Sequence, residues 1–280
     1  MSMELIHEKD FARLEYGMYI YIIINGILLL FAYPLLFLFE KVFGFTSNVT
    51  LVELSNTNNE LLKRLSEVAP AHSNTPCKWR TWLRKWRINR SKALLVRTGA
   101  LYHDIGKMNS PAYFTENQNN FNPHDRISYE QSAAIVISHV KDGLKLADKY
   151  NLPQVIKDFI STHHGKGKTK YFLISYKNQH PDQTVDESIF TYPGPNPFTL
   201  EQAILMMADS VEAASRSLNE YTEESISALV DKIVDCQVQE GFFKDCPITF
   251  HDITVAKDVF REKLKTIYHT RISYPELKKK

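Results

Sequence analysis

A run of 24 residues without a charged side chain, residues 16–39, constrains the fold of this chain more than any other feature of its sequence. As a helix the run is about 36 Å long, which exceeds the roughly 30 Å thickness of a bilayer hydrocarbon core. A secretory signal has a shorter apolar region and a small-residue cleavage site, and this run has neither. The sequence therefore predicts a single transmembrane helix with a kink at Pro34. A buried core helix is the alternative.

The charges that flank the run give only a weak indication of its orientation. Lys9 and Arg13 precede it and only Lys41 closely follows it, so the positive-inside rule mildly opposes a cytoplasmic location for the rest of the chain. We interpret the chain as five consecutive parts. The first three are an N-terminal flank at 1–15, the transmembrane helix at 16–39 and a juxtamembrane connector at 40–70. The main domain at 71–275 begins with an aberrant stretch at 71–90, and a basic tail follows at 276–280.

Apolar residues after the run recur at intervals of three and four positions, the period of amphipathic helices. The segments with this period are 92–106, 128–150, 152–164, 199–218, 222–239 and 250–272. Thr199 and Gln202 form a capping-box signature, and Gly165 stands where a helix would stop. No alternating strand pattern of comparable length occurs, so the sequence predicts an all-α bundle with a long connection at 165–198.

The composition excludes several classes of protein. With 280 residues, 44% hydrophobic and 24% charged, the chain is neither a disulfide-stapled miniprotein nor intrinsically disordered. Its three scattered cysteines fit a reducing compartment. The net charge of +2 hides an asymmetry, because residues 68–103 contain eight Lys and Arg, no Asp or Glu, and all three tryptophans.

Four of the predicted helices each direct a histidine or an aspartate toward their apolar face. These residues are His103, His139, His163 and Asp209, and Asp104 and His164 adjoin two of them. One such residue alone is more often a hydrogen-bonded core residue. Because burying several is costly unless they are paired or bind a metal, four together favour a metal site.

The residue types of this set indicate which ions it would bind. Histidine and carboxylate without cysteine suit Mn²⁺, Fe²⁺ or Zn²⁺, and the two oxygens of Asp104 can bridge two ions. A pair of ions turns a shared water into a nucleophile and stabilises the attacking and leaving oxygens of a phosphoryl transfer. Lys107 lies one helical turn after His103 and could neutralise a phosphate oxygen, although a solvated surface lysine has the same spacing.

The string His103-Asp-Ile-Gly-Lys107 resembles the signature of the HD phosphohydrolase superfamily. Longer strings resemble the membrane-anchored 7TM-HD family of cyclic di-AMP phosphodiesterases, whose product is linear pApA. These strings are DIGKMNSPAYFTENQ at 104–118, NPHDRIS at 122–128, ISHVKDG at 137–143, THHG at 162–165, YPGPNP at 192–197 and ADSVEAASRSL at 208–218. The resemblance runs from residue 40 to residue 276 apart from 71 to about 90, and it implies an HD-domain helical bundle.

The resemblance also implies a set of cofactors and site residues. Two divalent ions, Mn or Fe, would be bridged by Asp104, with His139, His163 and His164 on one ion and His103 and Asp209 on the other. Lys107 would lie beside the phosphates, with Arg216 as a weaker candidate for nucleotide contact and His124 in a supporting role. The implied partners are a cyclic dinucleotide and the cell membrane, with the HD domain on its cytoplasmic face. A second copy of the chain is a further candidate partner, and no nucleic-acid polymer is expected.

The sequence departs from the family in two ways. The extracellular domain and first six spans of the family are missing, so we interpret the chain as the C-terminal part of a larger receptor. The family also has a metal-binding histidine in an HSL-type motif before the HD pair, which this sequence lacks. With one extra base before Ala71, residues 71–86 can be reread as GTFQHSLQVANLAEEV, which restores it. We therefore hypothesise a frame slip, and a genuine basic aromatic segment that binds lipid headgroups or nucleic acid is the alternative.

Taken together, the residues and the resemblance predict a metal-dependent phosphodiesterase that hydrolyses cyclic di-AMP to pApA. The missing histidine leaves a second class open, a catalytically impaired membrane-bound nucleotide sensor. A different HD activity, such as nucleotide dephosphorylation, is a third possibility, because metal ligands define the chemistry and not the base.

Overall fold

A computed structural model describes residues 2–69, 90–118 and 121–269 of the chain. The chain separates into two compact units, residues 1–47 and residues 48–280. The hypothesis of a frame slip and its alternative concern residues 71–86, which lie outside the described residues, as does the basic tail at 276–280.

The first unit contains one long helix, α1 (Ser2–Phe43). It bends by 41° between Tyr16–Ala32 and Pro34–Phe43, because a proline inside a helix removes a hydrogen bond and its ring crowds the preceding turn. No single straight helix in the described part of the chain is long and apolar enough to cross a membrane, whereas these two bent segments together meet the requirement by length and composition. The helix ends before Gly44, whose φ of 67° is left-handed.

The regular secondary structure in the described residues of the second unit is helical, apart from one isolated β-bridge between Lys168 and Thr191. Its helices are α2 (Asn48–Leu54), α3 (Glu60–Val68), α4 (Arg90–Tyr102), α5 (Tyr129–Lys149), α6 (Gln154–Thr162), α7 (Lys170–Gln179), α8 (Leu200–Ser215), α9 (Glu223–Gln239) and α10 (Phe250–His269). Short 3₁₀ turns lie at Ile105–Asn109, Pro111–Tyr113, Thr115–Asn117, Pro123–Arg126 and Glu187–Phe190. The predicted all-α class is confirmed.

The predicted helices correspond to α4, α5, α6, α8, α9 and α10. The capping box is present, since the Thr199 hydroxyl accepts from the Gln202 amide and the Gln202 side chain accepts from the Thr199 amide. Gly165 follows the end of α6 with a φ of 53°. Two segments differ from expectation, because the expected connection at 165–198 contains α7, and the expected connector at 40–70 contains α2 and α3.

Helix α8 lies at the centre of the second unit, with every residue from 201 to 208 buried. It packs with α4, α9 and α10 in one apolar core, to which Val96, Val230 and Phe260 belong. A second core joins α2, α3 and α6 to the end of α4. Tyr102, the last residue of α4, and Ile105, in the turn after it, are fully buried there. The carboxyl end of α4 therefore lies between two cores, which fixes the position of the residues that follow it.

Candidate metal centre

Six side chains from four helices meet at one point in the second unit. His103 and Asp104 follow the last residue of α4, His139 lies in the middle of α5, His163 and His164 follow α6, and Asp209 lies in α8. Most of them are deeply buried: His103, Asp104, His139 and His163 are at most 2% exposed. His139 and Asp209 lie in helices as the sequence pattern predicted, whereas α4 and α6 end just before the other four ligands.

These residues form two groups that share Asp104. One group contains Asp104, His139, His163 and His164, the other contains His103, Asp104 and Asp209, and the potential ligand atoms of each group lie within 4.8 Å of one another. The first carboxylate oxygen of Asp104, Oδ1, is 3.3 Å from His139 Nε2 and 3.4 Å from His163 Nε2. The second oxygen, Oδ2, is 3.2 Å from His103 Nε2. Asp104 thus presents one oxygen to each group.

The imidazole rings are oriented by main-chain carbonyls of their own helices. Nδ1 of His103, His139 and His163 lies 3.0, 2.5 and 2.8 Å from the carbonyl oxygen three residues earlier. Because a carbonyl can only accept, each Nδ1 carries the proton. The Nε2 atoms therefore face the centre, and the neutral form of histidine with its proton on Nδ1 binds metals through Nε2.

This arrangement fits a pair of cations. The Nε2 atoms of His139 and His163 are 3.0 Å apart, and two nitrogen lone pairs at that distance repel unless a metal ion or a proton lies between them. Ligands about 2.0–2.2 Å from a shared ion, at angles between octahedral and tetrahedral, are themselves separated by roughly 3.0–3.5 Å. The observed separations of 3.0 to 3.4 Å fall in that range.

A close approach of backbones holds Asp104 against α5. A Cβ atom added to Gly106 would lie 1.8 Å from the carbonyl oxygen of His139 and 2.5 Å from the nitrogen of Gly143. Only glycine fits at this contact. The glycine of the His-Asp-Ile-Gly string therefore allows the turn after α4 to carry Asp104 to within reach of His139.

Burial and charge set the protonation of the cluster. Burial opposes the protonation of His103, but the carboxylates of Asp104 and Asp209 raise its pKa to about 10. Burial also opposes ionisation of Asp209, yet the contact with His103 holds the pKa of that carboxyl well below its usual range. Burial lowers the pKa of His163, and burial with the charges of its histidine neighbours lowers that of His164 further. His163 and His164 are therefore held neutral, as metal ligation requires.

Two basic residues stand beside the cluster. Lys107 Nζ lies 2.9 Å from Asp104 Oδ2 and 2.7 Å from Glu116 Oε1. Burial opposes its charge, but these carboxylates raise the pKa of Lys107 above its usual range. Arg216 contacts Glu116 at 3.3 Å and Glu212 at 2.7 Å. Lys107 and Arg216, the two basic residues that the sequence suggested, thus lie on one side of the cluster, and both contact Glu116.

A small pocket of about 150 Å³ opens onto the cluster, and the ligands Asp104, His139, His164 and Asp209 lie in its wall. Tyr192 stacks on His164, with ring centroids 4.3 Å apart. A larger pocket of about 990 Å³ shares the side chains of Phe114, Glu116 and Val136 with it. His124 belongs to this larger pocket, where its Nε2 lies 2.8 Å from the Tyr113 carbonyl. It is not part of either ligand group.

No sequence pattern indicated a role for Glu116, Glu212 or Tyr192, which also line the small pocket. Glu116 and Tyr192 lie outside the α-helices, where no periodicity indicates direction. Glu116 lies nine residues after Lys107, and an acidic residue near a lysine is a possible ion-pair partner. The spacing did not predict this contact, because consecutive 3₁₀ turns have no fixed period over nine residues.

Comparison with known proteins agrees with this geometry. The HD domain family matches residues 78–214. A cyclic-di-AMP phosphodiesterase PgpH of Listeria monocytogenes is 41% identical over 85% of this chain and 33% of its own length. The PgpH of Bacillus subtilis is 37% identical over 100% of this chain and 40% of its own length. This chain therefore spans about a third of the length of the first relative and two fifths of the second.

A solved structure extends the comparison to three dimensions. The crystal structure of the L. monocytogenes phosphodiesterase PgpH HD domain in complex with cyclic-di-AMP has a TM-score of 0.69 and 40% identity to this chain. The match covers 76% of this chain and 99% of that domain.

Proposed function

The chain belongs to the HD domain family, and on that premise we propose that it is a metal-dependent phosphodiesterase that hydrolyses cyclic di-AMP to linear pApA. The observation that carries the proposal is the sharing of Asp104 between two ligand groups at the floor of a pocket. The relatives named as cyclic-di-AMP phosphodiesterases support the substrate.

We propose two divalent ions, Mn or Fe, as the cofactors. Asp104 would bridge them, His139, His163 and His164 would hold one ion, and His103 and Asp209 the other. When bound, such a pair lowers the pKa of a water molecule and stabilises charge on the attacking and leaving oxygens. The orientation of the Nε2 atoms and the separations between ligand atoms support this assignment.

The residues of the chain would then bind and orient the substrate. In the hydrolysis a water oxygen joins the phosphorus, the bond to the ribose 3′ oxygen breaks, and that oxygen leaves as a hydroxyl. Lys107 and Arg216 would donate hydrogen bonds to the phosphate oxygens. Tyr192 and Phe114 form apolar walls that exclude bulk water from the reacting phosphate.

The size of the substrate supports a role for the larger pocket. A cyclic dinucleotide contains two nucleosides and does not fit within about 150 Å³, whereas the adjoining pocket offers about 990 Å³. We propose that one phosphate lies over the metal cluster while the rest of the ring extends past Phe114 and Val136. His124 and the aromatic ring of Phe172, 5.0 Å from it, line that space and suit stacking with a base.

We also propose that residues 16–39 span the cell membrane and that the HD domain lies on the cytoplasmic side. The support is the apolar surface of α1, on which Leu30 is 76% and Phe31 63% exposed. A membrane provides the apolar surroundings that such a surface requires. After cell lysis, we expect the chain in the membrane fraction, released by detergent and retained in alkaline carbonate; release by carbonate contradicts a spanning helix.

The test of the activity is hydrolysis of cyclic di-AMP by the full chain with added Mn²⁺. We expect pApA as the product and loss of turnover in His103→Ala and Asp104→Ala. His251→Ala is the matched control, because His251 is exposed at the start of α10, far in sequence from the ligands.

The same assay separates the alternatives. Tight binding of cyclic di-AMP by the Mn²⁺-loaded chain without turnover favours a sensor, and faster hydrolysis of AMP than of cyclic di-AMP favours a phosphomonoesterase. The assembly of both ligand groups and the activity named for the relatives favour the phosphodiesterase.

A further inference from the structure

A chain of alternating charges crosses one side of the small pocket. We call it the charge chain, and its members in order are Asp104, Lys107, Glu116, Arg216 and Glu212. Neighbouring members lie 2.9, 2.7, 3.3 and 2.7 Å apart. The chain starts at the bridging carboxylate of the metal cluster and ends in the last turn of α8.

Glu116 is the central member of the charge chain. It lies in the 3₁₀ turn Thr115–Asn117, and its side chain is only 12% exposed. One carboxylate oxygen accepts from Lys107 and the other from Arg216. Glu116 therefore positions both basic groups and offsets part of the charge of each.

Glu116 also lies where two pockets meet. It contributes to the wall of the small pocket over the metal cluster and to that of the larger pocket. Its charge therefore acts on a ligand in either pocket. Because the site is largely screened from water, a single charge there has a stronger effect than one on the surface.

The substrate and the product of the proposed reaction differ in charge. Each phosphate of a cyclic dinucleotide is a diester with one negative charge. Hydrolysis produces a terminal phosphomonoester, whose second pKa of about 6 gives it a charge between −1.5 and −2 at neutral pH. A pocket with two metal ions and two uncompensated basic side chains would bind this product more tightly than the substrate, and product release would limit turnover.

We propose that Glu116 is a specificity-determining residue that selects a phosphodiester over a phosphomonoester. Its carboxylate orients Lys107 and Arg216 toward the phosphate while it offsets their charge. The monoanionic substrate is then bound and the dianionic product is released. This inference rests on the proposed phosphodiesterase function and assigns to Glu116 the discrimination between its substrate and its product.

The test compares Glu116→Gln with the unchanged protein, using the full chain purified in detergent and loaded with Mn²⁺. Glutamine keeps the size of the side chain and removes its charge. Calorimetry with pApA should show binding tighter by about tenfold in the variant, the change expected from one charge near a partly buried phosphate. In steady-state assays, kcat should fall and inhibition by pApA should strengthen, while the KM for cyclic di-AMP changes less.

Further variants separate a charge effect from a structural one. Glu187→Gln also removes one carboxylate, which pairs with Lys168 and Lys177 on the surface, and should leave pApA affinity unchanged. The double variant Glu116→Gln with Arg216→Gln removes a cation together with its carboxylate, and should return pApA affinity toward the original value. Glu116→Ala supplies the same charge change if the glutamine variant does not fold.

The outcomes for Glu116 and for the activity are distinguishable. Equal affinity for pApA in the unchanged protein and in Glu116→Gln overturns the role of Glu116, even where both hydrolyse cyclic di-AMP. If the unchanged protein does not hydrolyse cyclic di-AMP, the proposed function fails. Calorimetry with pApA and with AMP then still decides whether Glu116 weakens the binding of a phosphomonoester.

Discussion

Substituting Gly106 with alanine tests how the metal cluster is assembled. The added Cβ would lie 1.8 Å from the carbonyl oxygen of His139, and such contacts are essentially never shorter than 3.0 Å. The turn after α4 and helix α5 must therefore separate by about 1.2 Å. No side-chain rotation can relieve this contact, because the His139 carbonyl oxygen and the Gly143 nitrogen that the new Cβ would meet both belong to the backbone.

The displacement is large compared with the tolerance of a metal site. Asp104 and His139 lie on opposite sides of the contact, and their ligand atoms are 3.3 Å apart. Metal–ligand distances are held within about 0.2 Å of their ideal values, so a shift of about 1.2 Å removes one of the two residues from a shared ion. We expect Mn²⁺ affinity to fall by at least about tenfold and the free energy of unfolding to fall by about 1–3 kcal/mol.

The assay is calorimetric titration of Mn²⁺ together with thermal unfolding of the metal-free protein. Gly143→Ala is the control across the same contact, because its Cβ would meet the Ile160 side chain at 2.9 Å, and a side-chain methyl group can move. The control should lose less affinity than Gly106→Ala. If Gly106→Ala binds Mn²⁺ as the unchanged protein does and unfolds at the same temperature, the account of this contact is wrong.

Three further predictions concern stability. Mn²⁺ at a hundred times its dissociation constant should stabilise the protein by about 2.7 kcal/mol, seen as a rise in the unfolding temperature that EDTA reverses; no rise contradicts folded-state metal binding. Thr199→Ala removes the hydroxyl that caps α8 and should cost about 1 kcal/mol in urea unfolding, and an unchanged midpoint would show that the cap contributes little. Phe260→Ala empties a fully buried position and should cost about 3–5 kcal/mol, whereas a loss below 1 kcal/mol would mean that the core closes around the cavity.

The inward-facing ligands could be predicted because a helix relates sequence spacing to direction. Residues three and four apart share a face, so the apolar neighbours of His139 and Asp209 indicated that both point into the bundle. The structure places both beside Asp104. The assignment of the ligands to individual ions rested on family resemblance, and it stays a prediction.

Other features had no periodic signal. Helix α7 lies in a segment read as a connection, because it buries only Phe172 and Leu173 and its lysines obscure the narrow apolar face. Helices α2 and α3 are seven and nine residues long, too short for a reliable pattern. The contact of Gly106 with α5 depends on the path of the turn after α4, which spacing along the chain does not determine.

The carbonyl groups that orient the imidazoles have a consequence for sequence variation. His103, His139 and His163 each use the main chain of the residue three positions earlier, which is Ala100, Val136 or Ile160. Any side chain compatible with the helix leaves that acceptor in place, so ligand orientation puts no demand on the identity of these residues. A carboxylate in the same role would have tied each histidine to a second invariant position. The side chains at these three positions can therefore change while the hydrogen bond that orients each histidine is retained.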